Sequence, residues 1–173
     1  MSQIATGLLR GQFQFAHNWF EGTVGDIAAE QMHWAATGKP SPIGGQYAHV
    51  MLTEDVFVNA MLTGGAPLFA SSFAGKTGLS EIPANPALGE WASHITVDPT
   101  AVRVYGKAVQ ESLNEYLANL QDEGLQKPFD LSMIGMGMQT VGMLLNLLHL
   151  NVYCHAGEIS CIKGLQGLKG YPG

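Results

Sequence analysis

The chain is poor in charge. Asp, Glu, Lys and Arg make up 13% of its 173 residues, against about 25% in an average soluble domain. So little charge implies less exposed surface than a monomer of this size presents, and points to self-association. Cations are scarcest: 8 Lys and Arg face 14 Asp and Glu, giving a formal charge of −6 with no two basic residues adjacent. A general nucleic-acid binder needs a basic face to neutralise phosphates. An anionic membrane surface asks for the same face. Neither partner is expected.

Cysteine is almost missing. Cys154 and Cys161 stand seven positions apart, a rise of about 10 Å if both lie on one helix. A disulfide needs Cα atoms within about 7 Å. No internal bridge is expected, and a reducing cytoplasm is the simpler setting. The opening MSQIATGLLRGQF has no basic region followed by an apolar run, so it does not read as a secretory leader. The nucleotide-binding glycine fingerprint, the phosphate loop, CxxC, HExxH and the nucleophile elbow are all absent.

One stretch lacks charge altogether, from Leu131 to Cys154. Its length would suit a bilayer. Ser132, Gln139, Thr140, Asn146, His149 and Asn151 interrupt it, and no Lys or Arg clusters flank it. It reads instead as the central buried helix of a water-exposed protein.

What the chain does have is helical periodicity. Apolar residues are 46% of the total, enough for one core in one domain spanning 1–173. Ile4, Leu8, Phe15 and Trp19, widened by Leu9 and Phe20, predict an amphipathic helix from about Gln3 to Val24. A turn of helix is expected within Gly25 to Trp34. Ser41-Pro42 predicts an N-cap and first turn, opening a second long helix to about Leu62. Asp98-Pro99 repeats the signal. The helix it opens, to about Glu123, carries the stripe Val102, Tyr105, Val109, Leu113, Tyr116, Leu117 and Leu120. A fourth begins between Leu131 and Thr140 and runs to about Gly164, apolar on almost every face. No strand period is convincing. The expected fold is all-α: a four-helix bundle with a long connection, residues 63–97, between helices two and three. That connection is expected to cover one end and supply a pocket wall. The tail from Leu165 should drape over the bundle.

Six histidines, at 17, 33, 49, 94, 149 and 155, carry the chemical signal. His155 follows Asn151 by four residues, so both project from one helix face. His49 sits mid-helix among apolar positions. A lone inward histidine is more often a hydrogen-bonded core residue than a ligand, so spacing alone does not decide. His149 should point away from the Asn151 face, into a helix contact. Met133, Met136, Met138 and Met143 read as a soft core or interface, and Cys154 as a buried small hydrophobe.

The run Trp34-Ala-Ala-Thr-Gly-Lys-Pro-Ser-Pro-Ile-Gly44, followed by His49, resembles the start of helix two in the DinB/YfiT-like family. So does the late run His155-Ala-Gly-Glu-Ile159, then Gly164-Leu-Gln-Gly-Leu-Lys-Gly170. The resemblance covers the whole layout. It implies a four-helix bundle with a crossed connection, often a homodimer. It also implies a divalent metal, zinc or nickel, held by one histidine of helix two and two at i and i+4 of the last helix. Carried over, these are His49 and His155, with Asn151 in the middle position. An amide is a poorer ligand than an imidazole. Glu158 would orient the His155 ring. His17, Trp34, Trp91 and His94 are further candidates for the pocket. The activity implied is metal-dependent transfer of a low-molecular-weight thiol, or hydrolysis or isomerisation of a small molecule. The alternative is a non-catalytic, dimeric small-molecule-binding or interaction bundle that has lost the metal. A carboxylate di-metal protein is disfavoured, because it needs Glu-x-x-His pairs at matching positions on two helices.

Overall fold

The computed structural model describes residues 2–25, 27–38, 40–85 and 89–173. Lys39 of the Trp34–Gly44 run, and Pro86 and Leu88 of the long connection, lie outside them. Four long helices carry the fold: α1 (Ile4–Val24), α3 (Ile43–Asp55), α5 (Pro99–Asn119) and α6 (Val141–Leu165). Short α2 (Ala29–His33) and α4 (Trp91–His94) lie in the connections. α1 packs on α5 and α6, and α3 packs on the same two. α1 and α3 therefore share one diagonal and α5 and α6 the other, so the chain crosses the bundle twice.

Local chemistry accounts for most boundaries. Asp98 caps α5, its Oδ1 accepting from the Thr100 and Ala101 amides at 2.9 Å each. α3 starts differently from expectation. Pro42 occupies the cap position with no side-chain bond, and Ser41 instead offers its carbonyl to Gln46 Nε2 at 2.9 Å. α3 is buried on nearly every side, because α2 and α4 cover what α5 and α6 leave. A Cβ at Gly45 would run into the Ala92 carbonyl oxygen. Glycine there is what lets α4 lie against the helix. Beyond Asp55 the helix widens into a π-helical turn, Val56–Leu62.

Two expectations about buried faces are corrected. In α1 the predicted stripe faces outward: Ile4, Leu8 and Phe15 are 83%, 67% and 59% exposed. The buried face is Phe13, Ala16, His17, Phe20 and Val24. α6 is not apolar-buried all round either. Met143, Leu150, Cys154 and Cys161 lie exposed, and both thiols are free.

The fold is not purely helical. β1 (Pro128–Asp130) and β2 (Met138–Thr140) form a small antiparallel hairpin before α6. Gly135 and Gly137, at φ 79° and 63°, turn its tip. Side chains other than glycine rarely adopt that backbone. The sequence reading placed these glycines at a helix start. The tip carries Met133 and Met136, and with Met138 and Met143 they are exposed.

The core falls into two apolar clusters. One gathers around Phe20, Tyr47, Met51, Tyr105, Val152 and Ile159. The other gathers around Phe13, Phe57, Leu113, Leu144 and Leu148. Buried polar side chains stand near the junction of the two clusters: His17 on α1, and Glu54 and Asp55 on α3. The candidate site lies on the first cluster's side of it, with His49 between Tyr47 and Val50 on α3 and His155 between Val152 and Ala156 on α6. The tail ends packed on the bundle, with Tyr171 against Trp19, ring centres 5.4 Å apart.

Candidate functional site

α3 and α6 are neighbours, and each contributes an imidazole. The rings of His49 and His155 stand 4.8 Å apart, centre to centre, at 74°. Two imidazoles sharing one tetrahedral cation at about 2.0–2.1 Å have ring centres roughly 5 Å apart. The spacing therefore suits one small ion or one ligand atom between them. Asn151, one turn before His155, places Oδ1 3.2 Å from His49 Nε2. Thr53 Oγ1 lies 3.5 Å from His49 Nδ1.

Glu158 decides the state of His155. Its Oε2 is 2.7 Å from His155 Nδ1. A carboxylate can only accept, so Nδ1 carries the proton and Nε2 keeps its lone pair. Gln46 Oε1 approaches the same Nδ1 at 3.3 Å. Burial, and next the neighbouring His49, push the His155 pKa below its ordinary value; Glu158 opposes them without prevailing. The ring is held neutral, as a metal ligand or a proton acceptor must be.

Asn151 is only half satisfied. Its Nδ2 is buried and has no hydrogen-bond partner. An unsatisfied buried donor costs about 1–3 kcal/mol, which a bound acceptor would recover. Asn151 and His49 also border a hollow of about 210 Å³. Val56, Phe57, Leu144, Leu147 and Leu148 wall it, and Met133 and Ile134 of the hairpin tip form its lip.

The residue types present, two imidazoles and an amide oxygen, are ones a divalent cation accepts, the imidazoles being the stronger donors. His49 and His155 converge, His155 is neutral and oriented, and the Asn151 oxygen lies at ligand-to-ligand distance from His49 Nε2. The set carries no negative charge. Among the described residues no three His, Cys, Asp or Glu side chains gather as a metal group.

The other candidates stand elsewhere. His17 does not reach His49. Its Nε2 lies 3.0 Å from Oε1 and 3.1 Å from Oε2 of the fully buried Glu54. His94 sits 3.3 Å from Glu81 on the surface. Trp34 is exposed, Trp91 packs against the core margin, and neither borders the hollow. His33 donates from Nδ1 to the Ala29 carbonyl and accepts at Nε2 from the Val97 amide at 2.8 Å, tying α2 to the long connection. His149 packs edge-on against Phe13 and Tyr153. Sequence reading missed Gln46, Thr53 and the hairpin lip. It also missed Glu54, although a carboxylate amid the apolar positions of α3 signals a buried partner.

The histidines set opposite pH slopes. Burial pushes the His17 pKa down, but Glu54, by charge and hydrogen bond, with help from Glu21, lifts it above 6.5. Its stabilisation is complete below 6.5 and fades as pH rises through the raised value. Burial, chiefly, lowers His149 and His155 below 6.5. Their contribution is complete above 6.5 and fades as pH falls through the lowered values. Stability is therefore expected to peak near pH 6.5. In urea unfolding across pH 5–9, the double variant His17→Phe/Glu54→Leu, which removes both partners of the buried pair, should flatten the alkaline slope alone. A wild-type stability still rising through pH 8 would contradict this assignment.

Fold and site together define a crossed four-helix bundle with an inter-helix imidazole pair beside an apolar hollow. The DinB superfamily profile matches residues 12–159, and the chain belongs to that superfamily. Among solved structures, a conserved protein from Enterococcus faecalis shares the fold. Its TM-score is 0.78 at 17% identity, over 94% of this chain and 96% of that one. A search of curated proteins returned no match. No described helix is long and apolar enough to cross a membrane.

Proposed function

We propose that the chain is a metal-dependent enzyme of small-molecule chemistry, of the thiol-transfer type. His49, His155 and Asn151 would hold zinc or nickel. The supporting observation is the 4.8 Å approach of two imidazoles from different helices, one oriented by Glu158. When bound, the cation would lower the pKa of a low-molecular-weight thiol and present it as a thiolate. The chain's own residues prepare the rest. Glu158 holds the Nδ1 proton of His155 and so leaves the Nε2 lone pair available. Thr53, beside Nδ1, would fix the plane of His49. Leu144, Leu147 and Leu148 keep water from the partner substrate.

A second reading rests on the unpartnered Nδ2 of Asn151. A donor in that place suits a ligand's acceptor and has no use for a cation, which favours a binding bundle without metal. Elemental analysis of metal-replete protein separates the two. About one zinc or nickel per chain, lost in both His49→Ala and His155→Ala, supports the enzyme. Wild-type protein retaining none leaves the binding bundle.

The proposal includes a homodimer in a reducing, cytoplasmic setting. The outward Leu8 and Phe15 of α1 and Leu150 of α6 support the first, as adjoining helices expose them with few charges nearby. The free thiols of Cys154 and Cys161 support the second. A monomer mass in sedimentation at micromolar concentration would remove the dimer.

A further inference from the structure

The hollow beside His49 has a shape and chemistry of its own. Its volume is about 210 Å³. An engineered protein cavity of about 150 Å³ takes up benzene, and pockets for drug-sized ligands run to about 300–1,000 Å³. The space therefore admits one six-membered ring, or a short branched chain, with up to about four further atoms. A peptide thiol or a nucleotide is too large.

The lining sets the polarity. Val56, Phe57, Leu144, Leu147 and Leu148 offer only carbon to most of the occupant. Among the described residues no Asp, Glu, Lys or Arg borders the space, so sugars and polyacids would lose their hydration without replacement. Polar groups gather at His49, Thr53, Asn85 and Asn151. There Asn151 Nδ2 is buried without an acceptor. The opposite margin is the hairpin tip, where Met133 and Ile134 border the hollow yet stay 62% and 48% exposed. Methionine is unbranched and adapts to varied apolar shapes. Two left-handed glycines, Gly135 and Gly137, turn the loop that bears it.

We infer that the hollow receives a compact apolar molecule, such as a single aromatic ring, bearing one hydrogen-bond-accepting head. The head meets Asn151 and His49, and the ring lies among Phe57, Leu144, Leu147 and Leu148 beneath the methionine lip. The inference uses the site location of the proposed function but not its cation. It narrows the partner substrate to small aryl or short aliphatic compounds with one polar end, and leaves a larger thiol outside the hollow.

Phenylacetate is the probe, with benzene (ring only) and acetate (head only) as controls. Binding is read by calorimetry and by methyl NMR shifts of Leu144 and Leu148, in EDTA and again with zinc. Phenylacetate should bind at least about tenfold tighter than either control, since each control lacks either the ring burial or the head's hydrogen bond. Leu147→Trp, which fills the hollow from a half-buried position, should abolish binding. Met133→Glu, at the exposed tip, should weaken it several-fold without touching the core, and keeps the test valid if the first variant misfolds. Absent phenylacetate binding in both conditions, acetate binding equally well, or binding unchanged in both variants would overturn the inference. Zinc bound without phenylacetate binding leaves the metal reading standing and removes this one. Phenylacetate bound by protein that takes no zinc does the reverse.

Discussion

Asp55→Ala should cost about 3–5 kcal/mol of folding stability, since it removes the charged acceptor of four hydrogen bonds and leaves their donors to find others. Asp55 is fully buried where α3 passes into its π-helical turn. Oδ1 accepts from Asn59 Nδ2 at 2.9 Å and from the Leu68 amide at 2.7 Å. Oδ2 accepts from the Phe69 amide at 3.0 Å and from the Tyr105 hydroxyl at 2.8 Å. One carboxylate thus fastens the start of the long connection and the middle of α5 to α3. Burial first, and then the Asp55 charge, raise the Tyr105 pKa, so the phenol stays a donor at every working pH. Truncation strands the buried Tyr105 hydroxyl and leaves three partly buried donors without their acceptor. A domain of this size has about 5–15 kcal/mol of stability in all, so the variant should unfold at much lower urea. Tyr105→Phe removes one bond of the four and should cost about 1–2 kcal/mol. Equal losses in the two variants, or a loss under about 1 kcal/mol in Asp55→Ala, would show that the network does not act through the carboxylate. The same anchor lies six residues after His49, so the histidine's helix is held by a bond set outside the site.

The sequence revealed α5 and missed the inward face of α1, for one physical reason. α5 has a single apolar stripe and charges elsewhere, and its cap is written in Asp98-Pro99. α1 has two apolar stripes. Ile4, Leu8, Phe15 and Trp19 are the bulkier, but Phe13, Ala16 and Phe20 face the core. Thr6 and His17 share that inner face, and their partners, Asp122 and Glu54, come from distant segments. Periodicity cannot see a polar residue satisfied from across the bundle, so it favours the stripe without one. The geometry of Asn151, His155 and Glu158 was legible because helix spacing alone puts them on neighbouring turns. The hollow was not. Its lip is a hairpin tip, and nothing in Gly135 and Gly137 reveals that the tip folds back toward His49. Apolar residues of α6 likewise read as uniformly buried, although Leu150 and Cys154 face out while Leu144 and Leu148 face in.

Asn151→His should bind zinc about a hundredfold more tightly than the natural chain, a change of about 2.7 kcal/mol. The amide offers a neutral oxygen, weakly matched to zinc beside two imidazoles, whereas a third imidazole is a preferred donor. The position already points the right way. Asn151 Oδ1 lies 3.2 Å from His49 Nε2, and His155 is one turn along the same helix. The substitution also removes the buried Nδ2 that has no partner, so the fold should not resist it. Competition with a chromogenic chelator at pH 7.5 reads the affinity. Removing His49 in the Asn151→His background should return it to the natural level or below, because the gain needs all three donors on one point. Glu158→Gln should lower it by about 10- to 100-fold, the usual cost of losing a carboxylate that orients a ligating histidine. If Asn151→His leaves zinc affinity unchanged while the protein stays folded, His49 and His155 do not share a cation with that helix position. The imidazole pair then serves the hollow's organic occupant, and the metal reading of this DinB chain falls while its bundle and its pocket remain.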